Sequence, residues 1–95
     1  MIEHIYEYDE NDNLIYSCDM FKNESWFKYN EKGEIKEVHH KFIRGYEIWI
    51  TYTDTTTHYR NSDGEEVLYK LNDDGKWYID KVIPEDHFKT LNSLL

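Results

Sequence analysis

Tyr46-Glu47-Ile48-Trp49-Ile50-Thr51-Tyr52-Thr53 alternates without interruption: Tyr46, Ile48, Ile50 and Tyr52 fall on one side of an extended chain, and Glu47, Trp49, Thr51 and Thr53 on the other. Successive side chains of a β-strand point to opposite faces, so this two-residue period predicts a half-buried strand. Its β-branched and aromatic residues suit a pleated surface, and it is the candidate central strand. Towards the N-terminus, Leu14, Tyr16, Cys18 and Met20 alternate in the same way with Ile15, Ser17 and Asp19. Between such runs lie Asp9-Glu10-Asn11-Asp12-Asn13, Asn30-Glu31-Lys32-Gly33, Asn61-Ser62-Asp63-Gly64 and Asn72-Asp73-Asp74-Gly75. Asp, Asn and Gly tolerate positive φ, and Asp and Asn bond their own backbone, so each cluster reads as a hairpin turn. Thr53-Asp54-Thr55-Thr56-Thr57 reads as a further turn, and Arg44-Gly45 as a strand break or a bulge.

The expected strands are 2–8, 13–20, 24–30, 34–43, 45–53, 56–60, 65–71 and 76–83. After Ile83, Pro84 suits a first helical position and Glu85 and Asp86 complement the positive end of a helix dipole. Phe88, Leu91 and Leu95 recur near helical spacing, predicting a short C-terminal helix over one end of the sheet. The expected fold is mainly β: an antiparallel meander of hairpin repeats forming a twisted sheet, in a single domain over 1–95.

Ile5-Tyr6-Glu7-Tyr8-Asp9, Trp26-Phe27-Lys28-Tyr29-Asn30, Trp49-Ile50-Thr51-Tyr52-Thr53 and Leu68-Tyr69-Lys70-Leu71-Asn72 align with one another, each an apolar residue, two positions, another apolar residue and a turn. A period of about twenty residues favours an array in which each hairpin borrows its neighbour's hydrophobic surface. Tyr6-x-Tyr8-Asp9 and Phe27-x-Tyr29-Asn30-x-x-Gly33-x-Ile35 resemble the YD repeats of Rhs-type proteins and the tandem repeats of YwqK-like antitoxins, whose consensus is an aromatic-x-Tyr-Asp segment, a Gly turn and a strand. The chain departs from that pattern where Asp12 or Asn13 replaces the first Gly and where the third unit has no turn Gly. The resemblance implies a hairpin array and transfers no catalytic residue.

The chain has 95 residues and a net charge of -9, which opposes direct nucleic-acid binding because such binders must neutralise phosphate. Residues 1–24 carry -6, residues 25–60 carry +1 and residues 61–95 carry -4. Cys18 is the only cysteine, which excludes an internal disulfide and suits a reducing, cytoplasmic compartment. No apolar run approaches membrane-span length, and the start Met1-Ile2-Glu3-His4 is acidic, so neither export nor membrane insertion is expected.

His39 and His40 are adjacent on an expected strand and point to opposite faces, so they do not ligate one ion simply. With His4, His58 and His87 they read as surface or edge histidines, and no spacing resembles a structural zinc site. Cys18 reads as a packed thiol rather than a nucleophile, and no phosphate loop, nucleotide-binding glycine fingerprint or EF-hand is present. Neither a catalytic residue, a metal nor a cofactor is therefore expected. Trp26, Trp49, Trp77 and Tyr59 offer stacking surfaces, but a repeated aromatic position reads as core.

The remaining signal is acidic. Asp9, Glu10, Asp12, Asp63, Glu65, Glu66, Asp73 and Asp74 at hairpin tips are the candidate partner-binding residues, against the ordinary reading that turns are polar and acidic surfaces aid solubility. The expected function is a non-enzymatic inhibitor of a basic protein partner, by nucleic-acid mimicry as in phage anti-CRISPR and other anti-defence proteins. The alternative is an immunity protein or antitoxin that neutralises a cognate toxin, the reading the resemblance implies. A repeat fragment or small enzyme is the third. A meander also leaves sheet edges through which two copies could pair into a homodimer.

Overall fold

The expected strands all form in the computed structural model of the chain, which describes residues 4–84. They are β1 (Ile5–Tyr8), β2 (Leu14–Cys18), β3 (Glu24–Tyr29), β4 (Ile35–Lys41), β5 (Glu47–Tyr52), β6 (Thr56–Asn61), β7 (Glu66–Leu71) and β8 (Trp77–Ile83). Each pairs antiparallel with the next, so that one open sheet has the order of the chain from β1 to β8. The helix expected beyond Ile83 lies outside the described residues. Among the described residues no helix is long and apolar enough to cross a membrane.

One device closes six of the seven hairpins. In Asp9–Asn13 the first residue's N–H donates to the carbonyl four residues on (2.9 Å), and the fourth residue's N–H donates back to the first carbonyl (3.1 Å). The same pair of bonds recurs from Asp19, Asn30, Phe42, Asn61 and Asn72. This is a three-residue hairpin loop, a type I turn followed by a left-handed residue. That residue is Asp12, Lys22, Gly33, Gly45, Gly64 or Gly75, all with φ between 65° and 90°. Where the first residue is Asp or Asn, its Oδ1 accepts the N–H groups two and four positions on, as Asp9 does from Asn11 (2.8 Å) and Asn13 (3.0 Å). Phe42 has no such oxygen, and Asn23 of the neighbouring turn accepts the Ile43 N–H instead (3.1 Å). The seventh hairpin is tighter: Thr53 N–H donates to the Thr56 carbonyl, and Thr53 Oγ1 accepts the N–H groups of Thr55 and Thr56. It needs no left-handed residue, which accounts for the missing glycine.

Two expectations are corrected here. The strand expected over 13–20 ends at Cys18, because Asp19 opens a turn and Met20, 49% exposed, sits in it rather than on a strand face. Arg44-Gly45 is neither a mid-strand break nor a bulge but the tip of the β4–β5 hairpin. Bulges occur instead where the register shifts between Glu7 and Tyr8, Lys28 and Tyr29, and Leu68 and Tyr69.

Register divides the side chains into two faces. One is uncharged along its rows: Phe27, Val38, Ile50, Tyr59, Val67 and Val82 lie opposite one another across β3 to β8, flanked by Ser17, Ser25, His40, Ile48 and Asn61 on one side and Tyr52, Thr57, Tyr69 and Ile79 on the other. The other face carries the row Glu7, Tyr16, Trp26, His39, Trp49, Arg60, Glu66 and Ile83 across the whole sheet. Beside it, Glu24, Lys41 and Glu47 stand opposite one another, as do Lys28 and Glu37. Opposite charges directly across a pair contribute a few tenths of a kcal/mol to about 1 kcal/mol.

The expected aromatic core does not close. Val38 (8% exposed) and Val82 (3%) are the only buried apolar residues described, while Trp26 and Trp49 are half-buried and Trp77 is exposed. A lone layer shields each face only by neighbouring side chains, so large rings remain partly wet.

The left-handed turn positions give a paired test. A Cβ at Gly64 meets no atom within 4 Å, so Gly64→Ala is opposed only by its φ of +84° and is expected to cost about 1 kcal/mol. Lys22→Gly relieves the same strain at φ 66° and is expected to raise stability by up to about 1 kcal/mol. Denaturant midpoints of the two variants, moving in opposite directions, check both.

Candidate functional site

Because the strands alternate in direction, the turns fall on two rims. The first rim is built from the β1–β2, β3–β4, β5–β6 and β7–β8 turns, and the second from the other three. This arrangement splits the candidate acids. Asp9, Glu10, Asp12, Asp73 and Asp74 lie on the first rim, Asp63 and Glu65 on the second, and Glu66 on the charged face in β7.

The first rim gains residues that linear reading did not single out. Glu31 and Glu34 in the β3–β4 turn and Asp54 in the β5–β6 turn stand between the two acidic tips. Eight carboxylates then face Lys32 and Lys76 alone, a rim charge of -6 out of -9. The second rim holds Asp19, Asp63 and Glu65 against Lys22 and Arg44. Six interstrand steps separate the outermost first-rim turns, so its acids are spread over ~29 Å. None of those eight carboxylates takes part in an ion pair among the described residues; the lysines that do, Lys28 and Lys70, bond Glu37 (3.3 Å) and Asp80 (3.4 Å) within the sheet. A polar hollow of about 350 Å³ indents this rim between Asn30, Glu34, Ile35, Tyr52, Thr53 and Asp54.

Not every rim carboxylate is equally available. A backbone hydrogen bond from Asn13 holds the Asp9 carboxyl below its ordinary 3.8; desolvation opposes it, and the Asn11 backbone and the Asn13 side chain add to the lowering. Asp19 on the second rim is lowered in the same way, chiefly by the Asn23 backbone. Glu65 accepts from Asn61 Nδ2 at 2.9 Å, and Glu66 Oε1 lies 2.9 Å from His58 Nε2.

The charged face carries a second surface. The His39 ring lies between Trp26 (centroids 4.9 Å apart) and Trp49 (5.2 Å), and the Arg60 guanidinium sits 5.2 Å over Trp49. Each such contact contributes roughly 0.5–1.5 kcal/mol. A shallow groove of about 360 Å³ follows this ladder beside Lys28, Glu37 and Thr51. Because the central rings stack on one another, their π faces are already occupied.

His39 Nε2 lies 3.1 Å from Glu47 Oε1, while His40, on the opposite face, approaches Ser25 Oγ at 2.7 Å. Burial, and then the charge of His39, push the His40 imidazole down. No group of three or more His, Cys, Asp or Glu is placed to hold a metal ion among the described residues. His4 stacks on Tyr6, and His87 lies outside the described residues. Cys18 is half-buried at the border of the charged face rather than in a packed core, its thiol 3.6 Å from the Asp19 carbonyl. Tyr16 donates to Glu24 at 2.6 Å, which is the first cause of its raised pKa. Tyr46 is pushed up to about 12 by its hydrogen bond with Tyr59, then by burial and by the charges of Asp63 and Glu65. The Tyr16–Glu24, Ser25–His40 and His39–Glu47 contacts join neighbouring strands.

No family model matches the chain, and comparison with curated proteins and with solved structures likewise returns no match.

The turn carboxylates make stability acid-sensitive. Asp9 and Asp19 have folded pKa values below the unfolded 3.8, so their stabilisation is fully present above that value and is lost as pH falls through the folded ones. Asn serves the same turn position at Asn30, Asn61 and Asn72 without titrating. Asp9→Asn with Asp19→Asn should therefore keep stability near its neutral value and flatten its decline in acid, as read from thermal midpoints between pH 7 and about pH 2.

Proposed function

We propose that the chain is a non-enzymatic acidic binding protein that lays its first rim on a basic protein partner and blocks that partner. The carrying observation is the rim itself: four adjacent turns on a pleated frame bearing -6 without ion pairing among the described residues. A line of carboxylates at fixed spacing steers a basic groove by long-range attraction and excludes acidic competitors. A groove that normally takes a phosphate backbone has that character, which favours mimicry of nucleic acid, the mode of anti-CRISPR and other phage anti-defence inhibitors. The hollow between Glu34 and Asp54 suits a Lys or Arg side chain, with the Tyr52 ring along its stem. The compartment that fits the single cysteine is cytoplasmic.

The array also fits the immunity or antitoxin reading, because the aligned units become β1, β3, β5 and β7 and the same turn device closes six of the seven hairpins. Partner identity separates the two readings. Capture of a nucleic-acid enzyme supports mimicry, and capture of a toxin supports immunity.

The decisive experiment is affinity capture with the full chain, followed by measured binding across salt. Binding should weaken as ionic strength rises. Asp73→Lys with Asp74→Lys should weaken it by about tenfold without changing the circular dichroism spectrum, while Asp63→Lys on the second rim should change it by less than about threefold. Binding that is indifferent to salt and to the Asp73/Asp74 reversal removes the rim from the account.

A further inference from the structure

A sheet needs a second layer over an apolar face, and the uncharged face has none among the described residues. The segregation is sharp. A third of the chain is charged, yet the three rows centred on Val38, Ile48 and Tyr69 contain no Asp, Glu, Lys or Arg. Ile50, Tyr59 and Val67 stay half-buried in the middle of the sheet, where a covering layer would exclude water. We propose that a second copy of this chain provides that layer, the two uncharged faces packing against each other as a β-sandwich.

Three features favour a second copy. The face has the anatomy of a self-complementary interface, with an aliphatic and aromatic centre row bordered by hydroxyl, amide and imidazole groups from Ser25, Thr57, Asn61 and His40. Its size suits a small interface: the three rows span five, four and three interstrand steps, a flat footprint of ~400 Å² before side-chain relief, against the ~800 Å² per partner of a standard interface. Charge placement permits it: the rows themselves contain no carboxylate, and Glu65, which accepts from Asn61 at the end of one bordering row, stands at the margin of the face rather than within it. Two chains of -9 still repel at long range, and salt relieves that repulsion. The dimer would keep both first rims and both charged faces exposed.

This inference goes beyond the proposed partner binding, and the opposite salt dependence separates the two. Sedimentation equilibrium of the full chain from ~1 to ~100 µM, at low salt and at about 0.5 M salt, should give twice the chain mass, with tighter association at high salt. The thermal midpoint should rise with protein concentration. Ile50→Glu should weaken association at least tenfold and Thr51→Glu, on the other face, should not. Should Ile50→Glu fail to fold, the smaller change Val67→Thr carries the same comparison and should weaken association several-fold. A chain that stays monomeric to ~100 µM in both salts, its face covered by residues 85–95 or left open, overturns the proposal. So does a dimer that salt weakens, or one that substitutions at Ile50 and Val67 leave intact because it forms through a sheet edge.

Discussion

Everything among the described residues depends on contacts between consecutive strands. With one layer described, no strand is stabilised by an element distant in sequence, and the radius of gyration of 15.9 Å exceeds the ~12 Å of a compact domain of this size. The side-chain row from Glu7 to Ile83 and the uncharged row from Phe27 to Val82 are each a chain of nearest-neighbour contacts. Such an array is quasi-one-dimensional, and its interior strands have two neighbours where β1 and β8 have one. The exposed pattern of β1 follows from that position, since all four of its residues are wet.

The turn device converts this local logic into a charged surface. A three-residue loop with an Asx cap calls for Asp or Asn first and a left-handed residue fourth, and the two intervening positions face solvent. Polar residues collect there for backbone reasons, and carboxylates among them collect on a rim. A strict meander returns every second turn to the same rim, so four separate clusters become one line. The rim therefore requires no long-range folding event, only correct closure of each hairpin.

Much of the fold was legible because two signals agreed: alternation fixed the strands, and Asn-x-x-Gly fixed three of the turns at Asn30, Asn61 and Asn72. The Asp19–Asn23 turn was obscured because Met20 and Phe21 extend an apolar run and Lys22 takes the place of glycine. Phe42–Tyr46 was obscured because an aromatic residue stands where Asn or Asp would cap, and the cap comes from Asn23 on the adjacent turn. The rim was only half legible. Glu31, Glu34 and Asp54 sit in a segment whose net charge is near zero, so linear counting hid them. In the sheet, Lys28, Lys41 and Arg60 go to the charged face and Arg44 to the second rim, leaving those three acids, with Lys32, beside the terminal tips. Burial departs from the sequence expectation for a related reason: repeated aromatic positions indicate packing, but in a lone layer packing means rings on rings, as with Trp26, His39 and Trp49, rather than enclosure.

Native-state hydrogen exchange, resolved strand by strand, tests the neighbour-contact account most directly. Protection should climb from β1 and β8 towards β4, β5 and β6, with the edge strands opening at free energies clearly below that of the centre. Uniform protection across all eight strands, or β1 exchanging as slowly as β5, would contradict it.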